Sequence, residues 1–246
     1  MTTVDHILGS LGLGLAEPLL GNGDDSIAGI AVEGANALKV WAQLKALLVS
    51  EGHWPVIVGS GSSITYLREN WEITEGTTVA SLLEKAATLD VEEWLKNRRQ
   101  GDESYYEEVH GSWPRRPEPT TTYVLPTDVL SGRPLERVYL AIVPTAQSWA
   151  VPVHLRLGGW NECPFPHEHA AVLKYWFERY DGELVGLSHD TIECAVSAPP
   201  REKEAALLLA RQQFVYCADI VGQGSQTIEN LGGALLNAPV WYFWWD

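Results

Sequence analysis

Two short apolar runs in the C-terminal half of the chain, Leu184–Leu187 and Ile192–Val196, are separated only by a turn around Ser188-His189-Asp190. Strands this close pair antiparallel, because a parallel return needs a crossover of a dozen or so residues. Helical patterns flank the pair. From about Pro166 to Tyr180, Ala170, Leu173, Trp176, Phe177 and Tyr180 fall on one face, and Pro166 at the first helical position suits the unpaired amides there. A second helix opens at Pro199-Pro200, with Ala205, Leu208, Leu209, Gln212 and Val215 sharing a face, and a third runs from Ser225 to Leu236. Val138–Val143 and Val153–Leu157 read as further strands. A hairpin among interspersed helices excludes a purely parallel sheet. The expected class is α+β, a mixed α/β sheet with helices packed on it.

Upstream, Ala37, Val40, Trp41, Leu44, Leu47 and Leu48 recur at helical spacing until Gly52, and Pro55-Val56-Ile57-Val58 follows as a short buried strand. Helices are expected near Thr78–Ala87 and Val91–Arg99, the second with Asp90 as N-cap and Glu93 three residues on. Residues 1–34 are Gly-rich without clear periodicity and read as irregular chain. The stretch 100–136 holds Pro114, Pro117, Pro119 and Pro126 and reads as a Pro-rich linker or surface loop. The expected organisation is an N-terminal α/β region at 1–99, the Pro-rich stretch at 100–136 and a C-terminal domain at 137–246.

Composition narrows the function classes. Of 246 residues, 46% are apolar, which is too many for wholesale disorder, and no apolar run is long enough for a bilayer crossing. A formal charge of −15 argues against gripping nucleic acid or anionic membrane and favours a basic partner. Three cysteines without a CxxC pair point to reduced thiols, and the first residues lack a basic leader, so a cytoplasmic location is expected.

The densest chemistry is Cys163-Pro-Phe-Pro-His167-Glu168-His169. Cysteine with imidazole is a zinc-like set, but two histidines two apart on a regular helix point about 200° apart. They converge only if His167 stays in the loop ahead of the helix. HExxH fails, because Ala171 stands where the second histidine belongs. The same loop also fits a thiol nucleophile, with Cys163 ahead of a helix and His167 or His169 as base. Gly59-Ser60-Gly61-Ser62-Ser63 follows a strand but meets neither the dinucleotide nor the P-loop pattern, and reads as a strand-to-helix turn. Asp24-Asp25, Glu92-Glu93 and Glu107-Glu108 read as solvated acidic pairs.

The chain closes on Trp241-Tyr242-Phe243-Trp244-Trp245-Asp246. On a strand, Trp241, Phe243 and Trp245 share one face, with Tyr242 and Trp244 on the other. So much aromatic area implies a docked segment, and a central strand buried on both sides is expected.

GGWNECP at Gly158–Pro164, then His169, Tyr175-Trp176, Tyr180, Glu183-Leu184-Val185, Tyr216-Cys217-Ala218-Asp219 and Phe243-Trp244-Trp245-Asp246 together resemble the DUF4253 family over about residues 137–246. The resemblance implies a bacterial α+β module and carries no catalytic residues, since the family is named for its lack of known function. It picks out Trp160, Asn161, Cys163, Pro164, Trp176, Tyr216, Cys217, Asp219, Trp244, Trp245 and Asp246. Trp160 and Trp176 are expected to pack together. The side-chain and terminal carboxylates of Asp246 call for a partner such as Arg156, Arg179 or a ligand. A site is therefore expected between the Gly158–His169 loop and the terminal strand, with Trp160, Asn161, Trp244, Trp245 and Asp246 as binding residues.

The leading functional expectation is a non-enzymatic protein-binding module, immunity-like or regulatory, for a basic partner. The alternative is a hydrolase-type enzyme using Cys163, His167 and His169, with or without zinc; otherwise no cofactor is expected. A second alternative is a structural oligomer subunit.

Overall fold

A computed structural model describes residues 3–21, 26–73, 76–101, 107 and 109–246. Asp24, Asp25 and Glu108, read as members of acidic pairs, lie outside the described residues. The chain opens with α1 (Thr3–Ser10), β1 (Glu17–Leu20) and β2 (Ile27–Val32), followed by α2 (Ala37–Leu48), β3 (Trp54–Gly59), α3 (Gly61–Ile73), α4 (Val79–Thr88) and α5 (Val91–Gly101). After the Pro-rich stretch come β4 (Val138–Val143), α6 (Val151–Leu155), α7 (Pro166–Tyr180), β5 (Gly182–Leu187), β6 (Thr191–Val196), α8 (Lys203–Tyr216), α9 (Ile228–Leu235) and β7 (Val240–Trp244).

The strands form one mixed sheet in the order β1-β2-β4-β3-β5-β6-β7, as an α+β fold requires. Every neighbouring pair is antiparallel except β3 and β5, which meet in parallel at Ile57 and Gly186. The indole of Trp54 donates across that seam to the Leu184 carbonyl at 2.9 Å. Because β4 lies between β2 and β3, the chain before and after the Pro-rich stretch builds a single sheet. β3 is buried at every position, which is why Trp54–Val58 reads as an unbroken apolar run. Helices α2, α3 and α7 pack on β3 and β5.

The Pro-rich stretch runs over this framework and is tied to it. The Thr120 amide donates to the Ala234 carbonyl, the Gly34 amide to Leu135, and the amides of Val124 and Leu125 to the Glu193 carboxylate on β6.

Local chemistry explains several boundaries. Asp90 accepts from the Glu93 amide at 3.1 Å and starts α5, and Gly52 in a left-handed conformation ends the turn after α2. Four expectations need correction. Residues 1–34 hold a helix and two strands rather than irregular chain throughout, because β2 finds its partner in β4, more than a hundred residues away. Val153–Leu157 falls largely within the short helix α6: Pro152 suits a first helical turn, and Arg156 turns the chain left-handed after it. α8 begins after the Pro199-Pro200 pair and turns Ala206, Leu209, Gln213 and Tyr216 inward, leaving Leu208 57% exposed. β7 is an edge strand, not a central one. Trp241 and Phe243 on one face are buried because α7 and α8 cover it, Tyr242 and Trp244 on the other are half-buried, and the Cys217 thiol donates to the Trp244 carbonyl at 3.0 Å. Among the described residues no helix is long and apolar enough to cross a membrane.

Candidate functional site

Gly158 and Gly159 have φ of 96° and 84°, and Asn161 one of 44°, so the loop ahead of α7 reverses through left-handed backbone. A β-carbon on Gly158 would lie 1.8 Å from the Pro164 carbonyl oxygen and 2.8 Å from His169 Nε2. The turn thus delivers Cys163 directly against α7. Glu168 fixes the start of that helix, accepting from the Phe165 amide at 2.7 Å and from the Trp94 indole at 2.7 Å. His169 then points inward. Its Nδ1 lies 2.6 Å from the Tyr216 hydroxyl and its Nε2 lies 3.4 Å from Cys163 Sγ. Either neutral tautomer satisfies both neighbours.

This Cys163–His169–Tyr216 chain lies inside an aromatic cluster. Tyr216 meets Trp176, Phe243 and Trp245 edge-on at 5.0–5.4 Å, and His169 meets Trp245 at 5.2 Å. Burial governs the electrostatics. It pushes the Cys163 thiol well above its ordinary range and lowers the His169 imidazole to about 3, the Arg98 guanidinium adding to the latter. The resting pair is a neutral thiol beside a neutral imidazole, the opposite of an activated thiolate–imidazolium pair. His167 does not join them: it lies on the first turn of α7, its ring stacked 6.0 Å from Phe165. The two histidines diverge as helical spacing requires. Among the described residues no group of three or more His, Cys, Asp or Glu side chains converges as a metal site would.

Trp245 forms the wall between this buried chain and a cavity of about 300 Å³ on its other side. The cavity lies where the Gly158–His169 loop meets the end of β7. Trp160 comes from the loop, and Trp244, Trp245 and Asp246 from the strand and the residues just after it. Tyr66, Glu69 and Asn70 come from one face of α3, and His189 and Asp190 from the β5–β6 turn. Three carboxylates and four Tyr or Trp side chains therefore surround one space, and among the described residues no Lys or Arg lines it.

Hydrogen bonds hold these walls in place. Asp190 Oδ1 accepts from Ser188 Oγ at 2.7 Å and Thr191 Oγ1 at 3.0 Å, while Oδ2 accepts from the Trp244 indole at 3.3 Å. The Trp245 amide donates to the Asp190 carbonyl at 3.0 Å. The Asp246 amide donates to Asp219 Oδ2 at 3.1 Å, its own Oδ2 accepts from Gln223 at 3.3 Å, and its backbone oxygen accepts from Asn161 at 2.9 Å. The indole N–H of Trp245, a residue only 2% exposed, has no hydrogen-bond partner.

Of the residues expected from sequence, Trp160, Trp244, Trp245 and Asp246 thus line one cavity and Asn161 braces it. Trp160 and Trp176 part company: Trp176 packs against Tyr216, Trp241 and Phe243 instead. Arg156 is spent on the Thr77 carbonyl and the Trp71 ring, and Arg179 on Tyr175 and Glu92. Five wall residues escaped the sequence reading as a site. His189 and Asp190 were visible only as a turn. Tyr66, Glu69 and Asn70 share helical spacing, but nothing in their pattern marks them as facing a site rather than solvent.

Residues 139–246 match the family model described as "Domain of unknown function (DUF4253)", so the resemblance over the C-terminal segment holds. That segment supplies β4 through β7, whereas Tyr66, Glu69 and Asn70 come from the chain before it, and the cavity spans the two. No curated protein and no solved structure matches the chain.

Proposed function

We propose that the protein is a binding module, immunity-like or regulatory in kind, that holds a cationic side chain of a basic partner in the cavity between Trp160, Trp244 and α3. One observation carries this reading: Glu69, Asp190 and Asp246 converge with four aromatic side chains around a space that, among the described residues, no Lys or Arg lines. Aromatic faces attract an ammonium or guanidinium, carboxylates give it charge-assisted hydrogen bonds, and a net charge of −15 steers a basic partner from a distance. Titration with capped arginine amide and capped lysine amide, followed by tryptophan fluorescence, tests it. Saturable binding that weakens with salt and is abolished by Trp160→Ala is expected. No saturable response in the folded protein would refute it.

The geometry of Cys163, His169 and Tyr216 favours one second reading, a thiol enzyme in which Tyr216 orients His169 and His169 serves as base. That reading requires Cys163 to react rapidly with iodoacetamide in the native protein near neutral pH. The binding reading expects the thiol to react only after unfolding, because it is buried and its pKa is raised.

A further inference from the structure

Among the described residues His189 is the one basic side chain in the wall of the cavity, and it lies within reach of the groups that would hold a guest. Its ring stacks on Tyr66, with centroids 4.5 Å apart and planes inclined at 29°. Its Nε2 lies 3.5 Å from Asp190 Oδ2, and its Nδ1 is buried without a hydrogen-bond partner. The ring is therefore held in place by stacking and by Asp190, so its charge state can change without the wall being rebuilt.

On the reading of the cavity as a cation site, we propose that His189 gates it: neutral His189 admits the cationic guest, and protonated His189 competes with it for the same carboxylates. Tyr66 on α3 and Asp190 on its own turn meet the ring, Glu69 on α3 acts on it by charge, and Trp244 and Asp246 at the end of β7 line the same cavity. Burial lowers the imidazole below its ordinary range, while Asp190 and Glu69 pull the other way. His189 is accordingly neutral at pH 7, and the cavity then presents three carboxylates with no opposing charge. A proton on His189 places a cation among them, and Nε2 then has an acceptor ready in Asp190. Two like charges a few ångströms apart near a protein surface repel strongly enough to weaken binding about tenfold. The partner would be held in a neutral compartment and released in an acidic one.

The test is binding of capped arginine amide to the full chain at about pH 8 and about pH 5.5, the lower value lying above the ordinary carboxylate range. Wild-type affinity is expected to fall about two- to fivefold on acidification, since the histidine is only partly protonated at the lower pH. His189→Gln and His189→Phe, the second retaining an aromatic ring against Tyr66, are each compared with their own affinity at about pH 8 and are expected to lose less than about twofold on acidification. Circular dichroism at both pH values checks that each variant is folded. Equal losses in wild type and both variants would overturn the gate while leaving the cation site intact. Absence of binding at about pH 8 in wild type would instead overturn the site itself.

Discussion

The side-chain amide of Asn161 donates to the backbone oxygen of Asp246 at 2.9 Å, joining residues 85 positions apart. This bond ties the turn that presents Trp160 to the chain that presents Trp244 and Trp245. Asn161 also adopts a φ of 44°, which asparagine and glycine tolerate better than other residues. Asn161→Gly keeps the backbone and removes the bond; Asn161→Ala loses both. We expect a stability loss of about 1 kcal/mol for the first and about 2 kcal/mol or more for the second, by urea unfolding. Both should weaken binding of the arginine probe, since Trp160 is no longer anchored across from β7. Unchanged binding in a folded Asn161→Gly protein would show that the loop holds Trp160 unaided.

Gly158 and Gly52 both have left-handed backbone, yet they should respond very differently to alanine. A β-carbon on Gly52 meets open space, so Gly52→Ala costs only the backbone strain, about 1–2 kcal/mol. At Gly158 the same carbon meets the Pro164 carbonyl, a backbone atom pinned by the start of α7. Gly158→Ala is expected to cost more than about 3 kcal/mol or to prevent folding. Comparable urea midpoints for the two variants would contradict this account of the turn.

Much of this was legible in sequence where the information is local. Pro166 and the apolar spacing after it place α7, and the short gap between the runs on either side of Ser188-His189-Asp190 gives the hairpin of β5 and β6. Pairing over long distances was not. Nothing near Ile27–Val32 shows that β4 will lie beside it, and the alternation of Trp241, Phe243 and Trp245 is the same for a central strand as for a covered edge. The site divides in the same way. Residues 160–161 and 244–246 stand out in sequence, while Tyr66, Glu69 and Asn70 join them only because α3 follows β3 across the parallel seam.

Asp190 is the bracket of the hairpin turn, since its carboxylate accepts from Ser188, Thr191 and Trp244. Asp190→Ala removes an ionised acceptor from three donors at once and is expected to cost about 2–3 kcal/mol. Asp190→Asn keeps the shape and removes the charge, so it should lose less stability but still weaken the arginine probe severalfold. If Asp190→Asn binds the probe as wild type does, Glu69 and Asp246 alone hold the guest.

Two buried groups give the stability of this protein opposing responses to pH. Burial raises the Glu193 carboxyl to about 7 despite the amides of Val124 and Leu125, so the fold favours its protonated form. Its contribution is full below about pH 4.5 and is lost as pH rises through 7, an effect on the order of 3 kcal/mol. His169, lowered to about 3, behaves in reverse: its contribution is present above about pH 6.5 and is lost as pH falls toward 3, because only the unfolded chain takes up the proton. Between about pH 4.5 and 6.5 the two oppose each other, which flattens the wild-type profile. Glu193→Gln removes one arm. Apart from a constant loss of about 1 kcal/mol for one missing hydrogen bond, its stability should fall steadily as pH drops from about 6.5. Urea unfolding of both proteins across that range decides the matter: parallel curves would mean that Glu193 takes up its proton in the fold as it does in the unfolded chain.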